Sequence, residues 1–560
     1  MHVHILVANV SVTSHVSGND GTEGNVALSQ WGSGKPDDPQ SGPPWAHVVS
    51  QNHQLRFPVE RVGAILVHGI GEQRRFEHLE SETRKIVGAI IANYGERRRD
   101  VTITLTTGAG DEFQADQSSW VSGAHAPIHA MVELERRIVD IAFHEVWWAD
   151  INEVLTLGKQ FRFWLWGLSL PGFVPLNEAY LPGAEETRPP HHAGELTWWQ
   201  RFRIAYVAMM IAMSALSIGL INVLLKRLSF PPLLSTGILV NYLAGVKLFS
   251  QDERAGGGPM DGPDEPPRFA IRRRMIRALL DVATAGYDRW YIIAHSLGTV
   301  VAWNGVMEVG KTLPNYLDLD RWRATATAPL RRRSDAPFDV TAMLPGRPIW
   351  LDRRELIDRD ALFANFRGLL TYGSPLERFG ALWSALVPIN NDEAVFPEGA
   401  EWVNVYDPTD PVGSWISDFD PAAAPPQGRG TLTPRNFPCR ASPVILLSHI
   451  CYLSAARLSS LRMVADAPHL LVSQVAHWLV QGDSLTDRLD AAPKGATTFW
   501  MPLAAGGAGP GWPVYLRAIW RYVQWIMAGA LLTVLTLISL HYLIYPLLGA
   551  LARWIKSTIF

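Results

Sequence analysis

Two cysteines, Cys439 and Cys451, are all that the 560 residues hold. That excludes a disulfide framework, and the expected state is two reduced thiols. A dominant charge is missing as well: 50 Lys and Arg stand against 53 Asp and Glu, a formal net charge of -3. Such a balance leaves no electrostatic footprint for nucleic acid. The short basic clusters, Arg272 to Arg274 and Arg331 to Arg333, read as solvated faces. No metal motif stands out, because His191-His192 lies in a Pro-rich stretch without companion ligands. HGIGEQ (68–73) lacks the lysine and the spacing of a phosphate loop, so neither metal nor cofactor is expected. The N-terminal MHVHILVANV has an apolar run but no basic region before it and no cleavage site, so no signal peptide is expected.

What is there is organised around WYIIAHSLGTVVAW (290–303). The apolar run from Tyr291 to Ala294 meets His295-Ser296-Leu297-Gly298, and a small and β-branched stretch able to continue as a helix follows. This reads as strand, abrupt turn and helix, with Ser296 at the apex. A serine hydroxyl is a poor nucleophile and gains from a strained turn where a histidine can reach it. Positions two before and two after it must be small, since strand and helix backbones pass close there; Ala294 and Gly298 fill them. Upstream, the run VGAILV (62–67) has the continuous apolar character of a buried parallel strand and ends in His68-Gly69-Ile70-Gly71. Apolar residues from Phe76 to Tyr94 then recur at helical spacing. Further strands are expected at 101–106, 138–148, 368–372, 402–406 and 443–447, and helices at 271–287 and 470–480. His144 and Glu145 are adjacent on a strand and so point to opposite faces, which argues against a shared metal.

AHSLG resembles the GxSxG nucleophile elbow of α/β-hydrolases, with Ala in place of the first Gly, and its lipase and esterase branch supplies the remaining expectations. The resemblance spans about 61–483. It implies that the amides of Ile70 and Leu297 form an oxyanion hole, with His68, Gly69 and Gly71 supporting the loop. It implies an acid after the 402–406 strand, in DPTDPV (407–412): Asp410 is preferred to Asp407, whose rival reading is an Asp-Pro turn. The same resemblance places the general base at His449, after the last strand; His469 and His477 lie in or beside a helical segment and read as packing residues. Ser374, in TYGSPL, is a rival nucleophile, but the proline after it biases its backbone away from an elbow.

Two stretches are apolar enough for a bilayer. Ile204 to Leu225 is free of charge and flanked by Arg201, Arg203, Lys226 and Arg227. The expected oxyanion strand precedes it and the elbow follows it, so a single crossing is forbidden; a hairpin returning through 233–249, an interfacial wedge and a soluble core helix remain open. Tyr522 to Ala552 is expected to be a tilted or kinked C-terminal transmembrane helix. The expected fold class is therefore α/β, a doubly wound, mostly parallel sheet interrupted by a membrane-associated helical insertion. The expected organisation is a flexible tail (1–57), a first half-domain (58–195), a membrane insertion (196–250), a linker (251–270), a second half-domain (271–485), a linker (486–515) and the C-terminal span (516–556). The implied activity is a membrane-associated serine hydrolase of carboxylic, lipid acyl esters, with its catalytic domain on the cytoplasmic side and the bilayer and its ester substrate as partners. An acyltransferase, a thioesterase or a non-catalytic membrane interaction protein on the same scaffold stays open.

Overall fold

A computed structural model of the chain describes residues 2–7, 10–15, 58–69, 77–95, 102–107, 127–134, 137–151, 267–306, 312–314, 322–323, 325–333, 355–377, 379, 396–408, 410, 412–416, 429–430, 432–439, 441, 448–449, 451–453 and 470–491, with six single positions between 520 and 553. In chain order the elements begin with β1 (His2–Val7), β2 (Val10–His15), β3 (Val59–Val67), α1 (Glu77–Ile90), β4 (Thr102–Thr107), β5 (Ile128–Glu133) and β6 (Ile138–Val146). There follow α2 (Pro267–Thr284), β7 (Arg289–His295), α3 (Gly298–Val306), β8 (Thr312–Pro314), β9 (Arg331–Arg333), β10 (Glu355–Asp358) and α4 (Arg359–Leu362). The last are β11 (Phe366–Tyr372), β12 (Phe396–Pro397), β13 (Glu401–Tyr406), β14 (Arg429–Gly430), β15 (Pro434–Pro438), α5 (Leu470–Gln481) and α6 (Leu485–Ala491).

Ten strands form one sheet in the order β15-β13-β11-β7-β3-β6-β5-β4-β1-β2. The six from β15 to β6 run parallel. β5 lies antiparallel to both its neighbours, β1 runs parallel to β4, and β2 closes the edge antiparallel to β1. The sheet is thus mixed and mostly parallel, as an α/β architecture requires. Central strands buried on both faces need apolar side chains in both phases, and β7 shows why the sequence reads as a continuous run. Trp290, Ile292 and Ala294 enter one core, packed under α2 and α3; Tyr291 and Ile293 enter the other, packed under α1 and α5. Because α1 follows β3 onto one face and α3 follows β7 onto the other, the crevice at the carboxyl ends of these adjacent strands is a topological switch point, the place where open α/β sheets bind ligands.

Several expectations are corrected. Residues 2–7 and 10–15, placed in a tail, are strands that extend the sheet edge through β4. HVHILV alternates in the way a strand does, and pairing with β4 outweighs the poor local context. Residues 434–438, where no strand was expected, form β15, the end strand of the described sheet beside β13. Its prolines are tolerated because an edge strand needs its amides on one side alone. The strand expected at 443–447 lies outside the described residues. The strand β5 was not expected, and α2 starts at Pro267, inside the expected linker, with proline at the first helical position where its missing N–H costs nothing. α6 carries the domain past 485. Arg272 is buried rather than solvated, whereas Arg331 and Arg332 are exposed on β9, in a small sheet with β10 and β8. The stretch 204–225 lies outside the described residues, as does 522–552 apart from single positions. Among the described residues no helix is long and apolar enough to cross a membrane.

Candidate active site

Ser296 follows the last residue of β7 and precedes the first of α3, so a strand must become a helix across two residues. The turn puts Ser296 at φ +54°, and it is the one non-glycine residue with positive φ among the described residues. That conformation is unfavourable for an L side chain and persists only where the surroundings enforce it. Here they do: its N–H donates to the Tyr372 carbonyl (3.1 Å), extending the β7–β11 ladder, and its carbonyl accepts from the Thr299 N–H (3.0 Å) and hydroxyl (2.7 Å). Glycine is needed on both sides of the hydroxyl. A Cβ on Gly298 would lie 2.4 Å from the His68 carbonyl oxygen, and one on Gly69 would lie 2.6 Å from the Ser296 Cβ. The turn after β3 and the elbow after β7 therefore pack backbone to backbone.

The candidate acid and base lie at the same carboxyl-end edge of the sheet, in segments that follow β13 and β15 in the chain. Asp410 follows β13, and His449 lies on a loop 39 residues later in the chain. His449 Nδ1–H donates to Asp410 Oδ2 at 2.9 Å, which leaves Nε2 to accept the Ser296 hydroxyl at 2.8 Å. Asp410 is fully buried, with more donors than His449 alone: Oδ1 accepts the Val412 N–H (2.7 Å) and Oδ2 accepts the Tyr452 hydroxyl (2.7 Å). Burial pushes its pKa up, but the attraction and hydrogen bond of His449, with the Val412 and Tyr452 donors, outweigh it and bring the carboxyl down to about 2. Asp410 is therefore a carboxylate at neutral pH. Burial and that same carboxylate push the Tyr452 phenol far above its ordinary range, so it remains a donor.

The residues weighed as rivals have other partners. Asp407 is buried and accepts from the Ala441 N–H (2.9 Å), its own N–H donates to Tyr452 Oη (2.8 Å), and its carbonyl accepts from the Asp410 N–H (2.9 Å). It shapes the acid loop. Ser374 is fully buried, its hydroxyl sharing a hydrogen bond with that of Thr299 (2.8 Å) and accepting from the Leu376 N–H (3.2 Å). His477 Nδ1 meets the Tyr94 hydroxyl at 2.7 Å, between α5 and the turn after α1; His469 lies outside the described residues. His144 and Glu145 do point opposite ways: His144 Nε2 meets the Tyr287 hydroxyl (2.8 Å) on the α2 side, while Glu145 accepts from the Leu79 N–H (3.3 Å) in the first turn of α1.

Of the oxyanion residues, Leu297 is buried at the start of α3, where the first amides of a helix have no acceptor within it and can face an anion. Ile70 and Gly71 lie outside the described residues. His68 is buried and locked: Nδ1–H donates to the Gly69 carbonyl (2.5 Å), Nε2 accepts the Trp148 N–H (3.2 Å), and its ring stacks on Trp148 at 5.2 Å. His68, the residue after β3, is thus pinned to Trp148, just past the end of β6. Two residues without an assigned role from sequence also touch the triad. Tyr452 holds the acid, and His295 reaches the main chain of His449. For neither residue did the sequence offer a local signal, since the partners lie 154 and 42 residues away.

No protein-family model, curated protein or solved structure matches the chain. Its function must be argued from this geometry.

Proposed function

We propose that the chain is a serine hydrolase of the α/β-hydrolase type, acting on carboxylic esters. The observation that carries this reading is the continuous hydrogen-bonded line from the Ser296 hydroxyl through His449 to Asp410, 2.8 and 2.9 Å long, with its hydroxyl on a strained turn. As Ser296 Oγ attacks the acyl carbonyl, His449 Nε2 takes the hydroxyl proton and Asp410 stabilises the resulting imidazolium. The oxyanion of the tetrahedral intermediate is held by the amide of Leu297, with the second donor that the hydrolase resemblance assigns to Ile70. Collapse expels the alcohol, protonated by His449, and leaves an acyl-enzyme on Ser296. Water, deprotonated by His449, releases the acid and restores the serine. If an alcohol or thiol replaced water the same residues would perform acyl transfer, and product analysis with and without an added alcohol separates the two.

Lipid acyl esters are the proposed substrate class, and attachment to a bilayer, with the catalytic domain on the cytoplasmic side, the proposed setting. Support comes from the apolar stretches at 204–225 and 522–552 and from Trp520, Val523 and Met527, which are exposed by 61%, 37% and 65% at helical spacing. Assay of the full chain in lipid vesicles against a panel of acyl esters tests the proposal. Wild type should release fatty acid, and Ser296→Ala should lower turnover by at least about a thousandfold. Equal turnover by the two proteins removes Ser296 from the chemistry and the reading with it.

A further inference from the structure

We propose that His295, the residue before the nucleophile, is a positioning residue: its ring holds the main-chain carbonyl of His449 and so fixes the aim of the base at Ser296. This rests on the hydrolase reading and adds to it a part that the triad alone does not contain. His295 Nε2 lies 2.8 Å from the His449 carbonyl oxygen, 154 residues away in the chain. A carbonyl can only accept, so Nε2 carries the proton and the tautomer is settled. The bond ties the base loop to the strand that carries the nucleophile. Consecutive residues of one turn thus hold both ends of the reacting pair, Ser296 through its hydroxyl and His295 through the base's own backbone.

The ring is itself held on a rigid support. It stacks on Tyr372 at 4.8 Å with the planes 18° apart, and the Tyr372 carbonyl accepts the Ser296 N–H. A loop histidine tethered only through its side chain could swing about its backbone, and misplacement by about 1 Å can cost on the order of a hundredfold in rate. Charge is arranged consistently. The two imidazoles lie 5.0 Å apart, so a second positive charge on His295 would oppose the imidazolium that forms on His449. Burial first, then the neighbouring His449, keep His295 far below its ordinary pKa; the other titratable groups facing it are His78, Asp410, Tyr372 and Tyr452. The transferred proton therefore goes to the imidazole paired with Asp410.

The test compares full-length wild type, His295→Phe, which keeps a ring but no donor, and His295→Gln, whose amide can reach the same carbonyl. An alkyl fluorophosphonate reports on nucleophile activation and a p-nitrophenyl acyl ester on turnover. His295→Phe should lose about ten- to a hundredfold in labelling rate and kcat with little change in KM, and His295→Gln should recover to within about fivefold of wild type. If wild type fails to label, the hydrolase reading fails and this proposal falls with it. If wild type labels and folded His295→Phe matches it in labelling rate and kcat, the positioning role alone is overturned. Should the Phe variant not fold, His295→Gln decides, and loss of more than about tenfold in a Gln variant of unchanged melting temperature overturns the role.

Discussion

Two histidine–carboxylate pairs, each with a buried carboxylate, have the same separation. His129 Nδ1 lies 2.9 Å from Asp140 Oδ1 between β5 and β6, and His449 Nδ1 lies 2.9 Å from Asp410 Oδ2 at the carboxyl ends of the parallel strands. The imidazole–carboxylate contact cannot be what separates a site from a brace. His129 and Asp140 occupy regular strand positions, where the ladder on either side fixes them and nothing is strained. His449 stands on a loop, and its second nitrogen meets a hydroxyl forced to φ +54° by two backbones packed against each other. The lesson is that the strained turn and the hydroxyl met by the second imidazole nitrogen set the candidate site apart, while the carboxylate serves either purpose.

Substitutions at the two pairs sharpen that contrast. The largest difference is expected at the acids: Asp410→Asn should lower the rate of ester hydrolysis by about 10³ to 10⁴, because an amide can hold His449 in the wrong tautomer and cannot stabilise its cation. Asp140→Asn should leave fluorophosphonate labelling near the wild-type rate while reducing stability by about 1–3 kcal/mol in denaturant unfolding. A smaller effect is expected at Tyr452→Phe, which removes one of the donors to Asp410 and the acceptor of the Asp407 N–H. Labelling should slow by about three- to tenfold, with stability lower by about 1.5–3 kcal/mol, the range for a hydrogen bond to a charged group. If Asp140→Asn slowed labelling as much as Asp410→Asn, the two pairs would be equivalent and the contrast empty.

The parts of this arrangement legible in the sequence were those with local causes. A run of apolar residues in both phases marks β7 and β3 as central strands, and the small residues Ala294 and Gly298 mark the elbow, because close backbone approach leaves no room for more. Asp410 could be preferred over Asp407, and the structure brings Asp410, and not Asp407, to His449. What could not be read depends on distant partners. β15 looks like a proline-rich excursion until its place at the sheet edge is known, and β1 and β2 gain their meaning from pairing with β4. Arg272 reads as surface in a run of three arginines, yet its position on α2 buries it. His295 and Tyr452 act through groups 154 and 42 residues away, a separation that local pattern cannot bridge.

The most direct test is to react the folded full-length protein with a fluorophosphonate and map the modified residue by mass spectrometry of its peptides. The account predicts a single phosphonyl adduct on Ser296, formed on wild type and lost in His449→Ala. An adduct on Ser374, or a folded protein that takes up none, would contradict it.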